Sequence, residues 1–337
     1  MISSEFNVSV IICCYNSFSR IEQTLNHIIN QEIKEDLKIE VILVDNNSND
    51  KTVEFANKIW KNSKVTIPFR VVCESKPGLS YARKKGIDSS KANILIFCDD
   101  DNWLEKKYIQ TAFEIIDKNP KIGMLGGIGQ EVIEGNKPAW FDRLKITYAI
   151  GPQADFDGDI TYVKGFVYGA GSILRKSVLE EIYKKGFINQ LSDRIGTRLV
   201  SGGDNEIGYM ISLSGYKVYY SSELKFKHFL PQKRLSLDYL IKLSIGQQIT
   251  SYKILCYESY LFNKTFYLPK NRYFKFYKTI KQLIILLVYF FLRKVSYFDF
   301  RLKSSKLIFN QYYLLFNYKK IINDIKLVEK NINLIKN

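Results

Sequence analysis

Apolar residues fall into short runs that alternate with helically spaced ones along the first hundred positions. Residues 8–13 form a β-branched run of strand length, and residues 19–30 place Ile21, Leu25, Ile28 and Ile29 at helical intervals. The succession then repeats. Strand-like runs at 40–44, 69–73 and 94–98 are separated by helix-like segments around 52–60 and at 79–87. This β-α-β-α rhythm predicts an α/β fold with a doubly wound, mostly parallel sheet, in which ligands bind beyond the C-terminal ends of the strands. Polar residues gather at those ends: Tyr15 and Asn16 after the first strand, Asp45, Asn46 and Asn47 after the second, and Asp99, Asp100 and Asp101 after the fourth. Beyond Pro120 the pattern is irregular. Glycines at 165, 169 and 171 either bring backbone close to a ligand or make a tight bend. Helices are predicted at 177–185 and 205–214, and a short strand at 216–220 leads to His228.

The aspartate triplet carries the first chemical reading. Three carboxylates at a strand end repel one another unless something positive sits among them. A hard cation, Mg²⁺ or Mn²⁺, meets that need through one or two carboxylates plus the phosphate oxygens of a substrate. The alternative is a solvated acidic turn that caps the next helix.

Composition narrows the setting. Apolar residues make up 46% of the 337, enough for a sizeable core. The five cysteines contain no C-x-x-C pair and read as reduced, buried thiols of a cytosolic protein. A strand pattern begins almost at the N-terminus, and no signal peptide is read there. The net charge of +16 is lopsided. From Lys225 onward 22 basic residues face 5 acidic ones, whereas the preceding residues hold 28 against 29. This division predicts a body over 1–230 and a basic, aromatic-rich, mainly helical extension over 231–337. Within the extension, residues 283–292 are ten consecutive apolar residues flanked by Lys278, Lys281, Arg293 and Lys294. That is too short to span a bilayer, which takes about 20 residues. It suits an interfacial helix on an anionic membrane surface, the alternative being a helix packed on the body with its lysines in solvent. No nucleic-acid-binding motif accompanies the charge.

The motifs also occur in a telling order. Residues 8–16, residues 44–50, the segment from Lys76 through Gly78, Ala82 and Arg83 to Ile87, the triplet, and Gly202-Gly203-Asp204-Asn205-Glu206 succeed one another. Together they resemble a family 2 glycosyltransferase with a GT-A fold, over about residues 6 to 230. The resemblance implies a nucleotide-sugar donor, UDP-sugar above all, a divalent metal, and inversion at the anomeric carbon. It sets Tyr15, Asp45 and Asn46 at the nucleobase, Arg83 near the nucleotide and Asp100 at the ribose. Asp99 and Asp101 become the D-x-D metal motif, His228 an additional metal or diphosphate ligand, and Asp204 the general base. Asp204 also reads as an N-cap, and His228 as an ordinary structural histidine. The implied acceptor is a hydroxyl of a glycan or lipid-linked glycan in polysaccharide biosynthesis, at the cytoplasmic face of the cell membrane.

Three positions depart from the pattern. Gly203 replaces a common glutamate before the base, Met210 a common arginine, and Asn46 a common aspartate. Two other readings compete. A sugar-phosphate nucleotidylyltransferase needs a G-x-G-[ST]-R-[LM] loop after the first strand; Gly196-Thr197-Arg198-Leu199 imitates part of it, in the wrong place. A non-catalytic glycan- or membrane-binding relative would retain Asp99, Asp101 and Asp204 at a repulsion cost with nothing to offset it.

Overall fold

A computed structural model describes residues 5–196, 199–265 and 272–336. Thr197 and Arg198 of the imitation loop lie outside the described residues. The expected parallel strands are present. β1 (Val8–Cys14) and β2 (Ile39–Asp45) are buried throughout, and β4 (Ile94–Asp99) up to its last residue. β3 (Phe69–Cys73) is half-buried at the sheet edge. Burial on both faces explains their unbroken apolar runs, because a parallel sheet is covered on each side. β1 pairs in parallel with β2 and with β4, placing Cys14 beside Asp45 and Cys13 beside Asp99. The C-terminal ends of these strands are therefore level, and the turn after each opens onto one edge.

Helices α1 (Ile21–Ile29), α2 (Thr52–Ser63), α3 (Leu79–Ser89) and α4 (Tyr108–Lys118) supply the cover. α3 lies so close to β1 that a Cβ at Gly86 would enter the side chain of Ile11. Of the five cysteines, only Cys73 is exposed; all are free thiols. Burial pushes the Cys13 thiol up to about 12, so it stays protonated.

The second half of the sheet is mixed. β5 (Asn102–Leu104), β6 (Ile122–Ile133), β7 (Gly158–Asp159), β8 (Ile173–Arg175) and β9 (Lys217–Leu230) complete nine strands in the order β3-β2-β1-β4-β8-β6-β9-β5, with β7 on β9. β8 is antiparallel to both β4 and β6, β9 is parallel to β6, and β5 is antiparallel to β9. The strand expected at 216–220 is longer than read: β9 runs 14 residues and contains His228. Ser221, Ser222 and Glu223 interrupt the apolar pattern, but the register shift between Gly126 and Ile128 on β6 absorbs them. Asp157 accepts the Ser222 N–H and hydroxyl at 2.8 and 2.9 Å.

The remaining elements are α5 (Phe141–Leu144), a 3₁₀ turn (Lys145–Tyr148), α6 (Lys176–Lys184), α7 (Gly203–Leu213), a second 3₁₀ turn (Gln232–Leu235), α8 (Leu237–Leu261), α9 (Arg272–Phe291) and α10 (Tyr297–Lys336). α8 starts on Ser236, whose hydroxyl accepts the Tyr239 N–H. It sets Tyr252, Cys256, Tyr257 and Leu261 into the apolar cluster that holds Ile11, Phe97, Tyr209 and Ile211, and α10 adds Val328 and Ile332. α9 differs. It buries Thr279 and Leu286 but exposes Ile280, Ile284, Ile285, Leu287, Val288 and Phe291, with Leu292 exposed just beyond it. Among the described residues, no helix is long and apolar enough to cross a membrane.

One buried carboxylate pins the N-terminal end of the sheet. Glu40 on β2 is fully buried and accepts from Ser9 Oγ at 2.6 Å, from the Lys91 N–H at 2.7 Å and from Arg70. Replacing it leaves these donors without an acceptor. Glu40→Ala lowers the unfolding free energy by about 3 kcal/mol in denaturant titration; a loss below about 1 kcal/mol would show that water replaces the carboxylate.

Candidate active site

The level strand ends open into a cavity of about 580 Å³. β1 contributes Cys13 and Cys14, and Tyr15 comes next; the turn after β2 contributes Asn46 and Asn47, and β4 leads into Asp99, Asp100 and Asp101. Arg83 enters from α3, Asp204 from α7, His228 from β9, and Leu243, Gln247, Thr250 and Ile254 from α8. All the candidate residues read from the sequence meet here except Asp45, which is buried behind the wall with its carboxylate near the Ser48 N–H at 3.4 Å.

The three triplet aspartates are each held differently. Asp100 Oδ2 accepts from Arg20 Nη2 at 2.6 Å and from the Ser17 hydroxyl, while the Asp100 carbonyl accepts from Thr24 Oγ1 at 2.9 Å. Asp99 faces Arg83 Nη2 at 3.8 Å, and burial pushes its carboxyl up to about 6 even against that cation. Asp101 Oδ2 pairs with Arg234 Nη1 at 2.7 Å. Burial acts to raise the Asp101 carboxyl, but the Arg234 guanidinium outweighs it and holds the carboxyl below the ordinary carboxylate range.

His228 reaches Asp101 through strand pairing. β5 opposes Asn102 to His228, and the Phe229 N–H donates to the Asp101 carbonyl at 2.9 Å. The His228 Nδ1 lies 2.9 Å from the Tyr148 carbonyl, which assigns the ring proton to Nδ1. Nε2 then presents its lone pair to Asp101 Oδ1, 3.6 Å away. Burial holds the imidazole below its ordinary value, so it is neutral near pH 7. Two acceptors that face each other across this gap, one oxygen and one oriented imidazole nitrogen, form a donor set that suits Mg²⁺ or Mn²⁺. Among the described residues no three His, Cys, Asp or Glu side chains gather as a cation cage. Two such ligands would leave coordination positions for substrate phosphates.

A second polar group stands on the α7 side. Asp204 Oδ2 accepts the Gly169 N–H at 2.7 Å, and Oδ1 the Asn205 N–H at 2.9 Å. The glycine-rich segment makes a bend and brings backbone to the cavity at once. Gly165 and Gly171 turn the chain at positive φ, and Gly169 brings its N–H to a side chain of the site. Burial first, then the charge of Asp193, raises the Asp204 carboxyl above its usual value, with Arg83 opposing. A carboxylate of raised proton affinity is suited to take a proton.

Asn46 is committed to structure. Its amide donates to the Glu74 and Lys76 carbonyls at 3.0 and 2.7 Å, and its Oδ1 accepts the Gly78 N–H at 2.7 Å. An aspartate has no donor for those carbonyls. Tyr15 is half-exposed at the rim. Residues absent from the sequence reading are Arg20, Asp193 and Arg234. Arg20 belongs to no motif, Arg234 is one basic residue among many, and Asp193 lies in an irregular stretch.

Glu206, two residues past Asp204, is fully buried and ties three elements together. It accepts the Gln190 and Leu191 N–H groups at 2.9 and 2.8 Å and the Tyr257 hydroxyl at 2.7 Å. Burial pushes its carboxyl up to about 7 from an ordinary 4.5, despite those bonds. The folded state therefore holds the proton that the unfolded chain releases, and this group's contribution to stability falls as pH rises across that interval. Between the ends of the interval wild type loses about 3 kcal/mol relative to Glu206→Gln, read as the difference between their pH-dependent denaturant curves. Parallel curves would exclude the carboxyl as the source.

Comparison with known proteins gives the site its family. A model of "Glycosyl transferase family 2" matches residues 9–183, more than half of the chain. The putative glycosyltransferase EpsH of Bacillus subtilis is 29% identical over 103 residues, 31% of this chain and 28% of its own length. The glucosyl-dolichyl phosphate glucuronosyltransferase of Haloferax volcanii is 21% identical over 244 residues, 71% of this chain and 74% of its own. The chain spans less than a third of the length of the first curated relatives it matches. Crystal structures of S. aureus TarS 1–349 superimpose with TM-scores of 0.54 in complex with UDP and 0.52 in complex with UDP-GlcNAc. Both are 16% identical, covering 96% and 97% of this chain and 91% and 92% of theirs. That likeness extends the GT-A-like fold over nearly the whole chain, and with the family match it establishes that this chain belongs to glycosyltransferase family 2.

Proposed function

We propose that this chain is an inverting glycosyltransferase that moves a sugar from a nucleotide-sugar donor, a UDP-sugar, to a hydroxyl of a glycan or lipid-linked acceptor. The carrying observation is a single cavity lined by the aspartate triplet at the sheet edge and by Asp204 on α7. The bound UDP and UDP-GlcNAc of TarS support the choice of donor. The relative named for glucosyl-dolichyl phosphate supports a lipid-linked acceptor.

In this reading Tyr15 stacks at the nucleobase, Asn46 with Asp45 behind it shapes that end, and Asp100 meets the ribose through the oxygen not taken by Arg20. Asp101 and His228 hold Mn²⁺ or Mg²⁺, with Asp99 supporting them through Arg83. The cation, when bound, neutralises the diphosphate as it leaves. Asp204 takes the proton of the acceptor hydroxyl. The freed oxygen bonds to the anomeric carbon on the face opposite the departing diphosphate, so the centre inverts. Arg83 and Arg234 add positive charge toward the diphosphate.

The extension completes the proposal. α9 presents a broad apolar face beside exposed Lys278, Lys281, Arg293 and Lys294, a pattern that suits the anionic inner face of a cell membrane. Peripheral binding there brings the enzyme to a lipid-linked acceptor.

Asp204→Asn lowers transfer by about 10²- to 10⁴-fold while Mn²⁺-dependent UDP binding stays at the wild-type level. Equal loss of binding would make Asp204 a structural residue. Asp101→Asn and His228→Ala instead weaken UDP binding only when Mn²⁺ is present. Lys278→Gln costs about 1 kcal/mol of affinity for phosphatidylserine vesicles, and Ile284→Glu with Val288→Glu releases the protein from them. Vesicle binding indifferent to these changes rejects the membrane face.

A further inference from the structure

The residue directly before Asp204 is a glycine, and the space its side chain would fill is already occupied. A Cβ at Gly203 would lie 2.6 Å from Asp193 Oδ2 and 3.0 Å from its Cγ. Asp193 belongs to the irregular stretch that precedes α7, yet it is buried, and both of its oxygens are engaged. Oδ1 accepts the Gly203 N–H at 3.0 Å, and Oδ2 pairs with Arg83 Nη1 at 3.0 Å. Its own N–H donates to Ser80 Oγ at 3.0 Å, and the neighbouring Arg194 carbonyl accepts the Leu79 N–H at 3.0 Å. The stretch is thus fastened to the start of α3, the helix that carries Arg83.

Room for the pair is made on both sides. A Cβ at Gly169 would enter the Arg83 guanidinium, just as one at Gly203 would enter the Asp193 carboxylate. Gly169 is also the residue whose N–H holds Asp204. The ion pair therefore sits between two glycines, one bonded to the proposed base and one adjacent to it in sequence.

We propose that Asp193 is a positioning residue for sugar transfer, supplying beside Asp204 the second carboxylate that position 203 does not carry and fixing Arg83 in the cavity. The assignment rests on the reading of Asp204 as base. Without Asp193, Arg83 would be the dominant charge beside Asp204 and would depress its proton affinity. With it, the two charges oppose each other, so burial, with Asp193 adding to it, keeps the Asp204 carboxyl above its usual range. Among the described residues, Lys164 and Tyr168 also face Asp204. The negative charge of Asp193 thus acts on the base through its pairing with Arg83.

Two sets of variants test this. Asp193→Asn keeps the shape and removes the charge. The acid limb of kcat/KM for acceptor then moves down by about one pH unit, which a purely structural role would not produce. Gly203→Glu alone forces Asp193 out of place and lowers kcat by about a hundredfold. Adding Asp193→Ala to Gly203→Glu returns the carboxylate from the other position and recovers about tenfold of that loss. Because both variants carry the same Gly203→Glu change, the exchange decides even where Asp193→Asn folds poorly. An unmoved acid limb in a folded Asp193→Asn, or a double variant no faster than Gly203→Glu, overturns the assignment. Full activity of Asp204→Asn would overturn the base reading with it, whereas an inactive Asp204→Asn beside a silent Asp193→Asn would overturn this assignment alone.

Discussion

Like charge crowded into one space is the constraint on which this site depends. Asp99, Asp100, Asp101, Asp193 and Asp204 all line a single cavity, and left alone they would repel one another and take up protons. The structure answers with arginines rather than with distance. Arg20 takes Asp100, Arg234 takes Asp101, and Arg83 lies between Asp99 and Asp193. Each guanidinium is anchored in its own element, so the carboxylates are separated by role as well as by partner. Planar, permanently charged donors suit this work better than lysines, since they keep their charge when buried and can bond two neighbours.

The arrangement also makes the site ready for anions. In the proposed reading, the cations that balance the aspartates also face the incoming diphosphate, so binding requires little rearrangement of the protein. The same economy appears on the base side. Backbone N–H groups of Gly169 and Asn205 orient Asp204, and helix α7 begins just before it.

Much of this was legible in the chain because parallel strands announce themselves. Residues 8–13, 40–44 and 94–98 are buried on both faces, and the polar residues after them had to share one edge. The triplet stood out for the same reason, and Asp204 through the motif order that resembles the family. Asp193 did not, because its neighbours have no periodicity and its partners, Arg83 and Gly203, are tertiary. Arg234 was hidden in a segment dense with basic residues, and β9 was cut short by Ser221, Ser222 and Glu223. Asn46 was readable only as a lost charge; the two carbonyls that need its amide show that the donor matters there.

The pairing of β5 with β9 has a consequence for the order in which the protein assembles. β1 to β4 and their helices are built from near neighbours in sequence, so that half can form early, even as the chain emerges. Asp101 and His228 belong to distant stretches, and they meet only when the short β5 settles antiparallel on the far end of β9. In the proposed reading, the nucleotide end of the cavity therefore forms before the diphosphate end. A chain halted between the two would present the ends of β1, β2 and β4 side by side and would lack the Asp101–His228 pair.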